Sequence, residues 1–299
     1  WQNTKKIYRY LKRYEYKHPE LPFVIHCSIV KTSKTNKGKF VPTFTLDDAD
    51  IFNSLEHYEI EIEIDNILID SFKYSDTNLI YQDLRRVIKY VLSGLQQTNY
   101  PVSISEQNSV ITNYLKLVKG KDYEITRLNN PKDFIGPSSL TLQMENMIDS
   151  ANINNVNKNI PNIRNNYCVT DKADGMRKLL FINNDGKLYL INTSLNVEFT
   201  GCIITNKDLI NTLIDGEHIL HDKDGSYINI FAAFDIYYIN NIDIAGLPFI
   251  NVQTSDKDEK AKDEKAKYKA KDKAKDKTTD IIKETCRYNY LNALIKKLD

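Results

Sequence analysis

Cysteine is scarce in this chain of 299 residues: there are four, Cys27, Cys168, Cys202 and Cys286, widely spaced and in no CxxC pair. That pattern excludes a disulfide framework and a cysteine zinc site, and it fits a reducing compartment. The five histidines (His18, His26, His57, His218, His221) form no HExxH spacing, so a zincin-type centre is excluded as well. No apolar run approaches the roughly 18 residues of a membrane span, and no membrane partner is expected. Neither sign of charge dominates. With 41 Lys and Arg against 40 Asp and Glu, the formal net charge is +1. A bulk nucleic-acid-coating protein is therefore excluded, and any contact with RNA must come from local basic surfaces. The chain opens on Trp1 rather than on methionine and reads as a piece of a longer protein.

What is present is enough apolar material, 41% of residues, for real cores, and a length that suggests two domains. The expected division falls at 1–118 and 119–299. Lys5 to Lys17 alternates as a strand, with Arg9 and Arg13 on one face and Tyr8, Tyr10, Tyr14 and Tyr16 on the other. Phe23 to Lys31 and Tyr58 to Asp65 read as two more strands. Helical spacing of apolar residues predicts helices over 79–97 and 109–119, the second stopped by Gly120. Residues 152–166 are rich in Asn and read as a solvated loop. Asn184-Asp185-Gly186 and Asp222-Lys223-Asp224-Gly225 each separate two apolar runs, as hairpin turns do. Residues 255–279 repeat Lys, Asp, Glu and Ala with almost nothing to bury. This reads as a charged low-complexity insertion, disordered or a lone helix, rather than a basic RNA-binding arm, because its acids nearly offset its lysines.

The sharpest local signal is Val169-Thr170-Asp171-Lys172-Ala173-Asp174-Gly175-Met176-Arg177. A lysine between two acids on a strand, followed by Asp-Gly and Arg, suits attack on a nucleotide α-phosphate. Lysine attacks only as the neutral amine, and its ordinary pKa is about 10.4. Partial burial, a nearby cation or a metal would favour that form. Gly175 would permit a tight turn close to a ligand, and Arg177 could grip a ribose or a phosphate. The bland alternative is a surface strand end running into a turn.

This KxDGxR segment resembles motif I of the covalent nucleotidyltransferases, the superfamily of mRNA guanylyltransferases and ATP-dependent ligases. Ile214-Asp215-Gly216-Glu217 resembles their DGE motif, and Phe231-Ala232-Ala233-Phe234-Asp235-Ile236 resembles the strand ending in Phe-Asp that follows it. The resemblance implies that Lys172 forms a lysyl-GMP intermediate and that Asp174 belongs to the nucleotide-binding set. It implies that Arg177 and Glu217 hold the ribose and help organise a metal site. Phe234 would stack on the guanine, the alternative being a core residue, and Asp215 reads equally well as a turn residue before Gly216. The segments YCVTDKADGMR, Phe134-Ile135-Gly136-Pro137 with Leu140-Thr141-Leu142, Leu247-Pro248-Phe249 and Arg287-Tyr288 favour capping enzymes of large cytoplasmic DNA viruses within the superfamily. The family's closing OB domain and its later lysine strand are not matched here.

Glu59, Glu61 and Glu63 alternate with Ile60, Ile62 and Ile64, so three carboxylates share one face of a strand. Such crowding of like charge is unfavourable unless cations sit among them; the alternative is an exposed acidic face. With the two preceding strands, this one resembles the later strands of the metal-dependent, tunnel-type RNA triphosphatases. That resemblance implies Glu59, Glu61 and Glu63 as metal ligands, and Arg9, Arg13 and Lys31 as phosphate ligands. The family's first glutamate strand would lie ahead of Trp1.

The expected fold class is therefore α+β: a partial antiparallel β-tunnel, then a ligase-type (ATP-grasp-like) nucleotidyltransferase domain without its OB domain. The expected function is mRNA 5′-capping, by RNA 5′-triphosphatase and GTP–RNA guanylyltransferase. The implied cofactor is Mg2+ or Mn2+ and the implied substrate GTP. Implied partners are the 5′-triphosphate or diphosphate end of nascent mRNA and a cap methyltransferase domain or subunit, in a cytoplasmic viral factory or virion. The rival readings are an ATP-dependent polynucleotide ligase and a non-catalytic nucleotide-binding module of a capping complex.

Overall fold

The computed structural model describes residues 3–70, 74, 76–125, 128, 130–148, 160–165, 167–251 and 285–298. Residues 152–159 and 166 of the Asn-rich stretch, and the whole charged insertion 255–279, lie outside the described residues. Contacts divide the chain into two units, Trp1–Thr98 and Asn99–Asp299.

In the first unit, β1 (Arg9–Lys17), β2 (Phe23–Thr32) and, after a short hairpin of β3 (Thr35–Asn36) and β4 (Lys39–Phe40), β5 (His57–Ile64) form an antiparallel sheet in the order β1-β2-β5. Two single-turn helices, α1 (Leu46–Ala49) and α2 (Asn66–Ile69), precede the long α3 (Thr77–Gln96). The period-2 pattern sorts this sheet into two chemistries. Phe23 and Ile25 of β2 and Ile62 of β5 pack with Leu21 and with Val87, Ile80 and Leu84 of α3. The opposite face carries the ions. Strand β1 is exposed along its full length, and as an edge it is blunted by Lys12, Arg13 and Lys17.

The second unit is built on six antiparallel strands in the order β11-β10-β9-β6-β7-β8. They are β6 (Met176–Ile182), β7 (Lys187–Asn192), β8 (Val197–Ile203), β9 (Thr212–His221), β10 (Tyr227–Ile239) and β11 (Ile242–Asp243). Both expected hairpins form, β6–β7 closed by Gly186 N–H to Asn183 O and β9–β10 by Gly225 N–H to Asp222 O. Helix α4 (Ile104–Lys119) covers one face, putting Val110, Ile111, Tyr114 and Leu115 against Leu179, Phe181, Tyr189 and Leu213. Helix α5 (Arg287–Leu298) covers the other, putting Leu291 and Leu294 with Leu180, Ile182, Ile214 and Ile236. A strand buried on both faces needs apolar residues at successive positions, which is why Leu179 to Ile182 do not alternate.

The division between the units falls twenty residues earlier than the expected one after residue 118. The amphipathic pattern of α4 gives it an apolar face but does not say which sheet that face covers. Its contacts are with the second sheet. Glu106 in its first turn adds a polar tie, accepting from Lys187 Nζ at 2.8 Å and from Tyr189 OH at 2.7 Å.

Candidate functional site

Lys172 sits just before β6 on an irregular segment, not on a strand as expected. Its side chain is 83% exposed and pairs with the Asp174 carboxylate, itself 92% exposed. The hydrogen bond and charge of Asp174, with a further contribution from Glu217, push the Lys172 pKa above its ordinary value. The same pair holds the Asp174 carboxyl below its usual range. The lysine thus lacks the burial that would favour the neutral amine.

Four residues on, the chain enters β6, and its pairing with β9 sets Arg177 directly across from Glu217. Gly175 makes that entry possible by close approach rather than by a turn, since a β-carbon there would lie 2.5 Å from the His218 carbonyl oxygen. Gly216, between the two acids of DGE, faces the same constraint: its β-carbon would meet the Phe231 ring at 2.5 Å and the Ala232 oxygen at 2.7 Å. Irregular register where β10 passes β9 brings Phe234 to the same place. Phe234 is 39% exposed, so it is not a core residue, and the Arg177 guanidinium lies 5.9 Å from its ring centroid. The fold therefore gathers Lys172, Asp174, Arg177, Glu217 and Phe234 around the start of β6, beside the middle of β9 and β10.

Asp215 is no turn residue. It lies within β9, wholly buried, and accepts from Arg177 Nε at 3.1 Å and Nη2 at 2.6 Å and from Tyr237 OH at 2.6 Å. Burial and the Asp215 charge push the Tyr237 phenol far up, so it stays a donor. Arg177 also donates to the Pro137 carbonyl at 2.5 Å and lies 5.5 Å from the Phe134 ring centroid. Tyr114 pins that segment by donating to Asp133 O at 2.7 Å and accepting from Ile135 N–H at 3.2 Å. The sequence showed Phe134 to Pro137 as a resemblance without a role. Nothing in it marked Tyr237.

In the first unit the registers Arg9↔Thr32, Arg13↔Ser28, Ser28↔Glu59, His26↔Glu61 and Val24↔Glu63 put Arg9, Arg13, Glu59, Glu61 and Glu63 on one face. Arg9 pairs with Glu59 and Arg13 with Glu61, each at 2.5 Å, so part of the carboxylate repulsion is already relieved. Lys31 is elsewhere. It is an odd number of residues from Ser28, so it points to the opposite face, where its amine donates to Phe52 O at 2.9 Å and pairs with Glu56 at 3.5 Å. The expectation that it joins the two arginines as a phosphate ligand is not met, because strand parity separates them. His26 does join the acidic face: its ligand atom and those of Glu61 and Glu63 all lie within 4.8 Å of one another, close enough to share one cation, and its buried Nδ1 has no hydrogen-bond partner among the described residues. Glu59, held by Arg9, is outside that group.

Comparison with known proteins bears on the second unit. A probable mRNA-capping enzyme of Acanthamoeba polyphaga mimivirus is 31% identical over 192 residues, 62% of this chain. The match covers 13% of that relative's length. Residues 149–298, half of the chain, match the family described as mRNA capping enzyme, catalytic domain. That stretch holds the whole series from Lys172 to Phe234, together with Arg287, and this chain belongs to the mRNA capping enzyme catalytic-domain family.

Proposed function

We propose that the second unit carries guanylyltransferase chemistry, with Lys172 as nucleophile. The observation that carries this reading is the convergence of Lys172, Arg177, Glu217 and Phe234 about the start of β6, where it runs beside β9 and β10. The neutral Lys172 amine attacks the α-phosphorus of GTP. The Nζ–P bond forms, the bond to the bridging oxygen breaks, pyrophosphate leaves, and the lysine gives up a proton. A diphosphate RNA end then takes the GMP, and the lysine is restored. Arg177 and Glu217 hold the ribose, and Phe234 offers its face to the base. The exposed carboxylate of Asp174 and the half-buried one of Glu217 would suit a hard divalent cation, which when bound offsets phosphate charge. With Asp174 holding such a cation, Lys172 would be free of the ion pair that keeps it protonated.

The test is direct. Incubated with α-labelled GTP and Mg2+ or Mn2+, the protein should acquire an acid-labile, alkali-stable label that Lys172→Ala abolishes. Label from ATP instead would identify a polynucleotide ligase, and no label from either would leave a binding module.

A second reading is favoured by the ionic face of the first unit. Arg9 and Arg13 would hold a 5′-triphosphate, and His26, Glu61 and Glu63 would hold a divalent cation, as removal of a γ-phosphate from RNA requires. The two readings together describe an enzyme that prepares an mRNA end and then caps it.

A further inference from the structure

We propose that Tyr237 is a positioning residue for Arg177, acting through the buried carboxylate of Asp215. The inference rests on the nucleotidyltransferase reading for its consequence, but its physical content is independent of it.

Arg177 is a long side chain that must present its guanidinium at a strand end, beside the half-exposed Phe234. A flexible arginine loses rotamer entropy on being held, so its orientation needs fixed partners. Asp215 supplies them by a two-point fork: Nε to Oδ1 at 3.1 Å and Nη2 to Oδ2 at 2.6 Å. The fork has direction only if the carboxylate itself cannot turn. Asp215 is fully buried, and the third donor to its carboxylate is the Tyr237 hydroxyl, at 2.6 Å to Oδ2. Tyr237 is itself buried in the core beneath α4, so its hydroxyl is a fixed point. The order of support is therefore core, Tyr237, Asp215, Arg177. On the far side the Pro137 carbonyl accepts from Nη1, and a β-carbon on Gly136 would strike the guanidinium, so the group is confined from two directions.

Tyr237→Phe removes one oxygen and keeps the ring that fills the core. Two measurements on the 299-residue chain separate positioning from simple stability. The first is hydrogen exchange of the Arg177 Nε–H, followed by NMR and assigned by its loss in Arg177→Lys. Exchange should quicken about tenfold in Tyr237→Phe, the ratio that corresponds to one lost hydrogen bond to a charged group. The second is GTP affinity by calorimetry with Mg2+ present. Tyr237→Phe should weaken binding about tenfold alone but less than about twofold in an Arg177→Lys background, where the fork is already lost and the charge on Asp215 still neutralised. An unchanged Arg177 Nε–H would overturn the proposal whatever GTP does, as would a loss of affinity that persists in full in the lysine background. If the unaltered protein binds no GTP while the exchange rate responds as stated, the nucleotide reading fails and the positioning role stands.

Discussion

At the scale of single residues, the chemistry turns on how few ångströms separate a useful group from an idle one. The Lys172–Asp174 pair is solvent-exposed on both sides, so it contributes little to stability, but it favours the protonated form of Lys172. Because Asp174 raises the lysine pKa, the neutral fraction at any pH below it is smaller than for a free lysine. Asp174→Asn should therefore make Lys172 several-fold more reactive toward a small acylating reagent near pH 9. Peptide mapping of the modified lysine checks this, and an unchanged rate would show that the pair does not form in solution. On the first unit's ionic face, Glu61→Ala and Glu63→Ala should each cut γ-phosphate release from triphosphate-ended RNA roughly 10–100-fold or more. GMP attachment at Lys172 should stay within about twofold, since that chemistry lies in the other unit. Glu59→Ala should act through the loss of a partner for Arg9 and so cost less. Retained phosphate release in all three variants would reduce the face to an acidic surface.

Elements are held to one another by partly buried ion pairs whose partners come from distant parts of the chain. Glu106 ties α4 to β7, and the bonds from Lys187 and then Tyr189 hold its carboxyl below the ordinary 4.5. A lowered carboxylate pKa stabilises the fold above its unfolded value and loses that contribution as pH falls through the folded one. Glu106→Gln should thus lower Tm at pH 7, by an amount equivalent to roughly 1 kcal/mol after allowance for its partial exposure. The gap from the unaltered protein should close as pH drops below about 4; a gap constant with pH would mean that shape rather than charge matters there. Asp235 does comparable work for α5. It accepts from Arg287 Nε at 2.8 Å and Nη2 at 3.0 Å, while the same guanidinium also donates to Ala245 O and Leu247 O. The strand expected to end in Phe-Asp runs on to Ile239, and its Asp235 is a clamp on the helix behind the sheet, while Phe234 beside it faces the site. Asp235→Ala should destabilise by roughly 2–3 kcal/mol, because it leaves a mostly buried guanidinium short of its partner.

Across the whole molecule, the two units differ in how much core each owns. The first has a small cluster around Leu21, Phe23 and Val87, whereas the second buries both faces of a six-stranded sheet. Local stability follows buried apolar contact, so amides of β1, β2 and β5 should exchange faster than those of β6, β7 and β9 by hydrogen-exchange mass spectrometry. Val87→Ala should widen that difference, at a cost of roughly 1–3 kcal/mol in the first unit. Equal protection in both units would show that they unfold together.

The sequence by itself determined whatever depends on local order. Strand parity alone placed Arg9 and Arg13 on one face and Glu59, Glu61 and Glu63 on one face, because the side-chain period of a strand is two. Turn chemistry located both hairpins of the second sheet, and helical spacing located the cores of α3 and α4. The KADGMR, DGE and FAAFD segments marked where a nucleotide site would lie. Tertiary structure decided what depends on partners far apart in the chain. It assigned α4 to the second sheet, since an apolar stripe does not name the surface it covers. It turned Lys31 away from the two arginines, because the register of β2 fixes a face that the residue type does not. It made Asp215 a buried anchor joined to Arg177 and Tyr237, residues 38 and 22 positions away. A buried carboxylate is tolerated only when donors converge on it, and convergence is a property of the folded chain.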